Sequence, residues 1–367
     1  MDPLLPCVAS APLLDHHCHG VLGTDLDRLA FESNLTEAES PSPRGTSLFD
    51  SSLGLAVRRW CAPLLDLPPL APAGEYVARR RSLGAAEVNR ALLSATGIST
   101  FLVDRGTWPE GFVGPAEFTG SRELPVLRLE RVAEDVVDGG PAAGFPARVR
   151  EVLDSSSAVA AKSIAAYRVG LDLDPARPSD REVVAAAGEW LTSGSARCAD
   201  AVISRFLVWE ALDRGLPVQF HVGYGDADLS LHRCDPLLLT DLLRATAPLG
   251  VPVVLLHNYP FHRNAGYLAQ VFPHVFADLG LATHAVGHQA GRVLAEALEI
   301  VPFGKFLFST DAFALAELYY LGAQFFRRAL SDFLSEGLRE DALALADAER
   351  ITRLIGWENA HRAYRLE

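Results

Sequence analysis

The feature that most limits the fold of this 367-residue chain is an alternation running along its length. Short apolar runs are followed by longer stretches whose apolar residues recur at helical spacing. The runs are the end of CVASAPLLDHH, then 98–106, 124–132, 157–165, 216–223, 251–259, 274–281 and 305–313, eight in all. Between them, ADAVISRFLVWEALDRG at 199–215 closes on Gly215, a residue suited to a helix C-terminus. DPLLLTDLLRATAPLG precedes the run at 251, and HQAGRVLAEALEIVPFG precedes the run at 305. Continuous apolar strands that alternate with helices imply a parallel sheet covered on both faces. Eight such units in this length predict an α/β fold, a (β/α)8 TIM barrel. A doubly wound open sheet competes with it, weakened because no GxGxxG follows the first run.

We read residues 1–367 as a single barrel domain. The long interval between the first two runs holds a loop-like ESPSPRGTS and helical pieces around LFDSSLGLAVRRWCAPLLDL and SLGAAEVNRALLSATG. Residues 21–95 are therefore expected to be a mostly helical insertion. It serves either as a cap over the barrel or as a subdomain for oligomer contact. Beyond Asp311 two amphipathic stretches predict closing helices, and no internal repeat or low-complexity tract is present.

Lys and Arg number 33 against 46 Asp and Glu, so the net charge is 33 − 46 = −13. Such a surface argues against nucleic acid and against anionic lipid as partners. A site for an anionic substrate then needs a local basic patch or a metal. Five widely spaced cysteines without a CxxC indicate neither a disulfide framework nor a zinc ribbon, which leaves a reducing cytoplasm as the expected location. Asp2 stands where a secretion signal would carry Lys or Arg, and no apolar run is long enough to span a membrane.

Three of the eleven histidines fall within DHHCHG at 15–20. On a regular strand Asp15, His17 and His19 share one face, with His16 and Cys18 on the other. Two imidazoles then aim at one point near the strand's C-terminal end, where barrel active sites sit. Neutral imidazole ligates Zn²⁺ and related ions. Asp15 is placed to act as the outer carboxylate that orients a ligand. Cys18, facing away, is excluded as a ligand. Three further runs end on residues able to ligate: His221 in PVQFHVGYGD, His257 in PVVLLHNYPF and Asp311 in FLFSTDAF. Gly225, Asp226 and Asp228 follow His221, either lining a site or shaping a turn. His232, His262, His284 and His288 lie on loops near strand ends and are read as solvated or capping, with substrate contact as the alternative. His16, His274 and His361 are read as structural.

This set resembles the amidohydrolase superfamily: Asp15-x-His17-x-His19 on the first strand, His221 on the fifth, His257 on the sixth and Asp311 on the eighth. AKSIAAYRVGL at 161–171, QFHVGYGDADLSLHRCDPLLL at 219–239 and RLERVAED at 128–135 point to the amidohydrolase-2-like branch. They are similar to the amidohydrolase-like domain found fused to glutamine-synthetase-like domains. The resemblance implies a divalent metal ion, Zn or alternatively Mn, held by His17, His19, His221 and Asp311. Asp311 would also act as base for the water, and His257 would stabilise oxyanion charge or orient the water. Lys162 would be a carboxylated lysine bridging two metals, a substrate-carboxylate binder, or a partner of Glu130. Tyr167 and Arg168 follow it, and Arg suits bidentate capture of a carboxylate.

The expected function is metal-dependent hydrolysis of a C–N amide-type bond in a small carboxylate-bearing substrate. The alternatives are a non-oxidative metal-dependent decarboxylase and a non-catalytic ligand-binding barrel. The expected partner is a small-molecule substrate, with self-association and a glutamine-synthetase-like partner protein left open.

Overall fold

The computed structural model describes residues 3–38, 40, 44–106 and 108–366. Seven parallel strands form one sheet in chain order: β1 (Leu13–Cys18), β2 (Ile98–Asp104), β3 (Arg122–Arg128), β4 (Ala160–Ser163), β5 (Val218–Val222), β6 (Val253–His257) and β7 (Val275–Ala277). The eighth run, 305–313, lies between β7 and β1 and closes the ring. It does so through isolated hydrogen bonds, Leu307 N to Ala277 O at 3.0 Å and His16 N to Phe308 O at 3.2 Å, rather than a ladder. Side chains take over where the ladder stops. Thr310 donates to Asp15 from its backbone at 2.9 Å and from its hydroxyl at 2.5 Å. Ser309 donates to Asp278 at 2.5 Å. The (β/α)8 barrel is therefore real, with its last stave pinned by two buried carboxylates.

The strands are shorter than the runs that announced them. β3 stops at Arg128, and the helix Leu129–Val137 begins at the next residue. In LRLERV the helical spacing of Leu129, Val132 and Ala133 starts before the strand-like run has faded. The helix Ala201–Asp213 forms as expected, its first turn capped by Asp200 accepting from Val202 N and Ile203 N. Leu14, Leu102, Val126, Ala160, Val254, Leu256, Phe276 and Leu307 fill the barrel interior together with Ala360, Ala363 and Tyr364 of the C-terminal helix Asn359–Tyr364.

β1 departs from simple alternation. Its register against β2 slips between Asp15 and Cys18. A slip of this kind re-aims side chains, commonly beside functional sites. Asp15 turns to Thr310 and meets His17 only through the backbone N at 3.4 Å, so it does not orient either imidazole. Burial pushes its carboxyl up to about 8 despite the bonds from Thr310. His16, expected on the outer face, points inward, with Nδ1 2.9 Å from the Tyr364 hydroxyl and Nε2 2.9 Å from Asp278 Oδ2.

Within 21–95 the helices Arg28–Ser33, Ser52–Ala56, Ala73–Leu83 and Ala85–Ser94 are present, and Val21–Leu22 pairs antiparallel with Phe112–Val113 outside the barrel sheet. The segment is fastened to the barrel by a buried ion pair. Arg80 Nε donates to Glu317 Oε1 at 2.9 Å, and Tyr76 donates its hydroxyl to the same oxygen at 2.9 Å. Glu317 opens the long helix Ala316–Arg339, just past Asp311. All five cysteines are free thiols. Among the described residues no helix is long and apolar enough to cross a membrane.

Glu317→Ala strands the Arg80 guanidinium in the core, at 1 % exposure, without its counter-charge. Removing one partner of a buried pair costs about 3–5 kcal/mol. Urea unfolding should show a loss of that size, and a loss below about 1 kcal/mol would contradict the fastening role.

Candidate active site

The ends of four strands and the closing segment meet around the Asp311 carboxylate. Oδ1 lies 3.3 Å from His17 Nε2 and 3.2 Å from His19 Nε2, and Oδ2 lies 3.4 Å from His257 Nδ1. Lys162 Nζ, from β4, stands 3.3 Å from His17 Nε2. His221 packs its ring against His257, with centroids 4.7 Å apart, and Tyr167 covers it at 4.5 Å. The expected residues His17, His19, His221, His257, Lys162, Tyr167 and Asp311 thus converge. His257, rather than His221, touches Asp311.

Local backbone aims these groups. Leu256 faces the barrel interior, so plain alternation would turn His257 away from it. His257 instead has φ 69° and Asn258 φ 63°, left-handed values that swing the imidazole into the site. Asp278 Oδ1 accepts from His257 N at 2.5 Å, and Asn258 Nδ2 donates to Leu255 O at 2.6 Å, which hold that turn. Gly223, after β5, has φ 83°, and a Cβ there would stand 2.2 Å from Tyr259 O, so only glycine fits beside His221.

The donor set fits a divalent cation. His19 Nδ1 lies 3.1 Å from the Asp104 backbone carbonyl, which can only accept, so the His19 proton sits on Nδ1. In the neutral ring, the form that ligates metals, Nε2 then turns a lone pair toward Asp311 Oδ1. In that form two acceptors face each other, an arrangement a cation between them would satisfy. Asp311 Oδ1, His221 Nε2 and both nitrogens of His257 are buried without a hydrogen-bond partner among the described residues. Buried polar atoms of this kind are ordinarily satisfied. Among the described residues two groups of three have ligand atoms within 4.8 Å of one another: His17, His257 and Asp311, and His17, His19 and Asp104.

Electrostatics favour the ligand forms. Burial, reinforced by Lys162, pushes His17 down to about 4. Burial likewise holds His221 and His257 well below the usual imidazole range, so these rings are neutral. Burial opposes ionisation of Asp311, whereas any proton on the adjoining imidazoles, His257 first, pulls its carboxyl well below its ordinary value. Burial brings Lys162 down to about 8, partly offset by Asp311 and Asp104.

A cavity of about 500 Å³ opens above Asp311, lined among others by Lys162, Tyr167, Arg168, His221, His257 and His284. Arg168 reaches Glu134 at 3.4 Å, and its Nε is buried without a partner among the described residues. Lys162 does not pair with Glu130, whose Oε1 accepts from the Ser163 hydroxyl at 2.8 Å. Asp226 and Asp228 line the cavity. Gly225 lets Tyr167 approach, since a Cβ there would meet the phenol oxygen at 2.1 Å.

Of the four loop histidines, His284 is buried in the cavity wall, the position of the substrate-contact alternative rather than of a solvated or capping residue, because the chain after β7 folds back over the site. His232 and His288 are exposed, and His262 pairs with Glu296 at 2.9 Å. Four groups escaped the sequence reading. Asp104 and Arg128 end β2 and β3 and form a pair with contacts of 3.0 and 2.7 Å, Arg128 also lining the cavity. Both carry the signal that singled out His221, a polar residue closing an apolar run. Gln219, in mid-strand, and the loop Ser33–Ala38 over the cavity carry no comparable signal.

A family model described as Amidohydrolase matches residues 120–366. This chain belongs to the amidohydrolase family. It is similar to a Lactobacillus casei protein provisionally termed a metal-dependent hydrolase, at 30% identity and TM-score 0.87, over 98% of this chain and 96% of that one. Protein fluG of Emericella nidulans is 28% identical over all of this chain and 47% of its own length, so the chain spans about half of that relative. The uronate isomerase of Thermotoga maritima shares the fold alone, at 13% identity and TM-score 0.64, over 98% of this chain and 95% of that one. Family model and fold together place the chain among the enzymes of the amidohydrolase superfamily.

Burial pushes His284 down to about 4 from an ordinary 6.5, against a smaller upward pull from Asp311. The unfolded chain takes up that proton near pH 6.5, and the folded chain only near pH 4. The stability contributed by the neutral ring is therefore lost as pH falls through this window. Relative to His284→Gln, the wild type should lose about 1.4 kcal/mol per pH unit there. Urea unfolding at pH 7, 5.5 and 4.5 measures the difference, and parallel slopes would contradict it.

Proposed function

We propose that this chain is a metal-dependent amidohydrolase that cleaves a C–N amide-type bond in a small carboxylate-bearing substrate. The observation that carries this reading is the approach of His19 Nε2 and His17 Nε2 to one buried, otherwise unpartnered oxygen of Asp311, at 3.2 and 3.3 Å. His17, His19, His221 and Asp311 would hold the cation, and imidazole-rich donors favour Zn²⁺, with Mn²⁺ as the alternative. When bound, a divalent ion lowers the pKa of water toward neutrality and polarises a carbonyl.

The chain's own groups divide the remaining work. Asp311, ionised among neutral imidazoles, accepts a proton at Oδ2, the oxygen turned to His257. The resulting carboxylic acid returns that proton to the departing nitrogen. His257 donates from its neutral ring to oxygen charge as it develops. Lys162 and Arg168 supply positive charge for the substrate carboxylate in an otherwise acidic protein, and Tyr167 closes the same wall. Residues 33–38, within the helical 21–95 segment, cap the cavity and limit water. A reducing cytoplasmic location, supported by five free thiols, self-association and a glutamine-synthetase-like partner complete the proposal.

Elemental analysis should show stoichiometric Zn²⁺ or Mn²⁺ in the wild type and its loss in a His17→Ala/His19→Ala variant. Unchanged metal content would remove the cation assignment. Against a panel of small carboxylate-bearing amides, the wild type should release ammonia or amine. Asp311→Asn should lower kcat at least about 100-fold with native circular dichroism. Near-normal turnover would end its role as base, and CO₂ release without amine would replace hydrolysis by decarboxylation.

A further inference from the structure

Gln219 lies two residues before His221 on β5 and is fully buried. Its Nε2 donates to the His16 carbonyl at 2.8 Å and to the Tyr364 hydroxyl oxygen at 2.9 Å, while Oε1 lies 2.8 Å from His17 Nδ1. These partners allow the amide one orientation. The His16 carbonyl only accepts, so the group facing it is the NH2. The opposite end is then the carbonyl oxygen, which also only accepts. His17 must carry its proton on Nδ1 and present a lone pair at Nε2. That nitrogen is the one 3.3 Å from Asp311 Oδ1.

The amide is itself held from below. Tyr364 belongs to the C-terminal helix that fills the barrel interior, and its hydroxyl accepts from Gln219 while standing 2.9 Å from His16 Nδ1. His16 Nε2 in turn stands 2.9 Å from the Asp278 carboxylate, so the Tyr364 hydroxyl is held between the His16 ring and the Gln219 amide.

We infer that Gln219 is a positioning residue that locks His17 in the Nδ1–H tautomer, the form whose Nε2 can bind a cation, and that Tyr364 keeps Gln219 in register. The consequence for metal binding rests on the function proposed above, whereas the tautomer does not. Outer hydrogen bonds that orient a ligating histidine change metal affinity by about 10–100-fold.

Two measurements on the full-length protein test this. In the metal-free, ¹⁵N-histidine-labelled wild type, two-bond ¹H–¹⁵N correlations, assigned with His17→Gln, should show His17 protonated at Nδ1 and bare at Nε2. The reverse tautomer overturns the inference. Competition with a chromogenic chelator at constant pH should then show Zn²⁺ binding about 10–100-fold weaker in Gln219→Met, with Tyr364→Phe between that variant and wild type. Wild-type affinity in a natively folded Gln219→Met overturns the coupling. Should that variant not fold, the wild-type tautomer and Tyr364→Phe decide, and wild-type affinity in the latter removes Tyr364 from the chain. A wild type that binds no Zn²⁺ defeats the proposed function while leaving the tautomer measurement standing.

Discussion

The placement of one carboxylate governs the rest of this structure. Asp311 is reached through a segment with almost no ladder of its own, and its backbone N donates to His17 O at 3.0 Å. Its φ of 50° lies in the left-handed region, a conformation that costs a non-glycine residue of order 1 kcal/mol. The surrounding structure must over-determine such a residue for it to persist. Here Asp15 and Asp278 do so by fixing Thr310 and Ser309 just before it. The carboxylate is thereby presented to His17, His19 and His257 together.

Irregularity elsewhere serves the same convergence. The slip in β1 separates His16, which turns to Tyr364 and Asp278, from His17, which turns to Asp311. The left-handed pair His257–Asn258 turns an imidazole from the outer face of β6 into the mouth of the barrel. Regular strands supply the frame, and the departures from regularity supply the aim. Strain of this kind gathers where function fixes geometry more tightly than folding alone requires.

The barrel was legible because strand and helix periods alternate visibly along the chain, and Lys162, His221, His257 and Asp311 were legible because each closes an apolar run. What escaped did so for physical reasons. Alternation along β1 put His16 outside and made Asp15 an orienting carboxylate, since a register slip leaves no mark in residue types. Gln219, inside VQFHV, reads as one polar residue in a strand, and its meaning comes from His16 and Tyr364, more than 140 positions away. His284 and the loop Ser33–Ala38 reach the cavity through chain paths that no local pattern encodes. Asp104 and Arg128 carried the strand-end signal, but their pairing exists only across neighbouring strands.

The central claim is that lone pairs from His17 and His19 and the Asp311 carboxylate surround one cation. Anomalous diffraction at the zinc edge from crystals of the Zn²⁺-loaded protein tests it most directly. The account predicts a peak about 2.0–2.2 Å from His17 Nε2, His19 Nε2 and an Asp311 oxygen. A map with no peak among these three side chains, in crystals whose zinc is ordered elsewhere or absent, would contradict it.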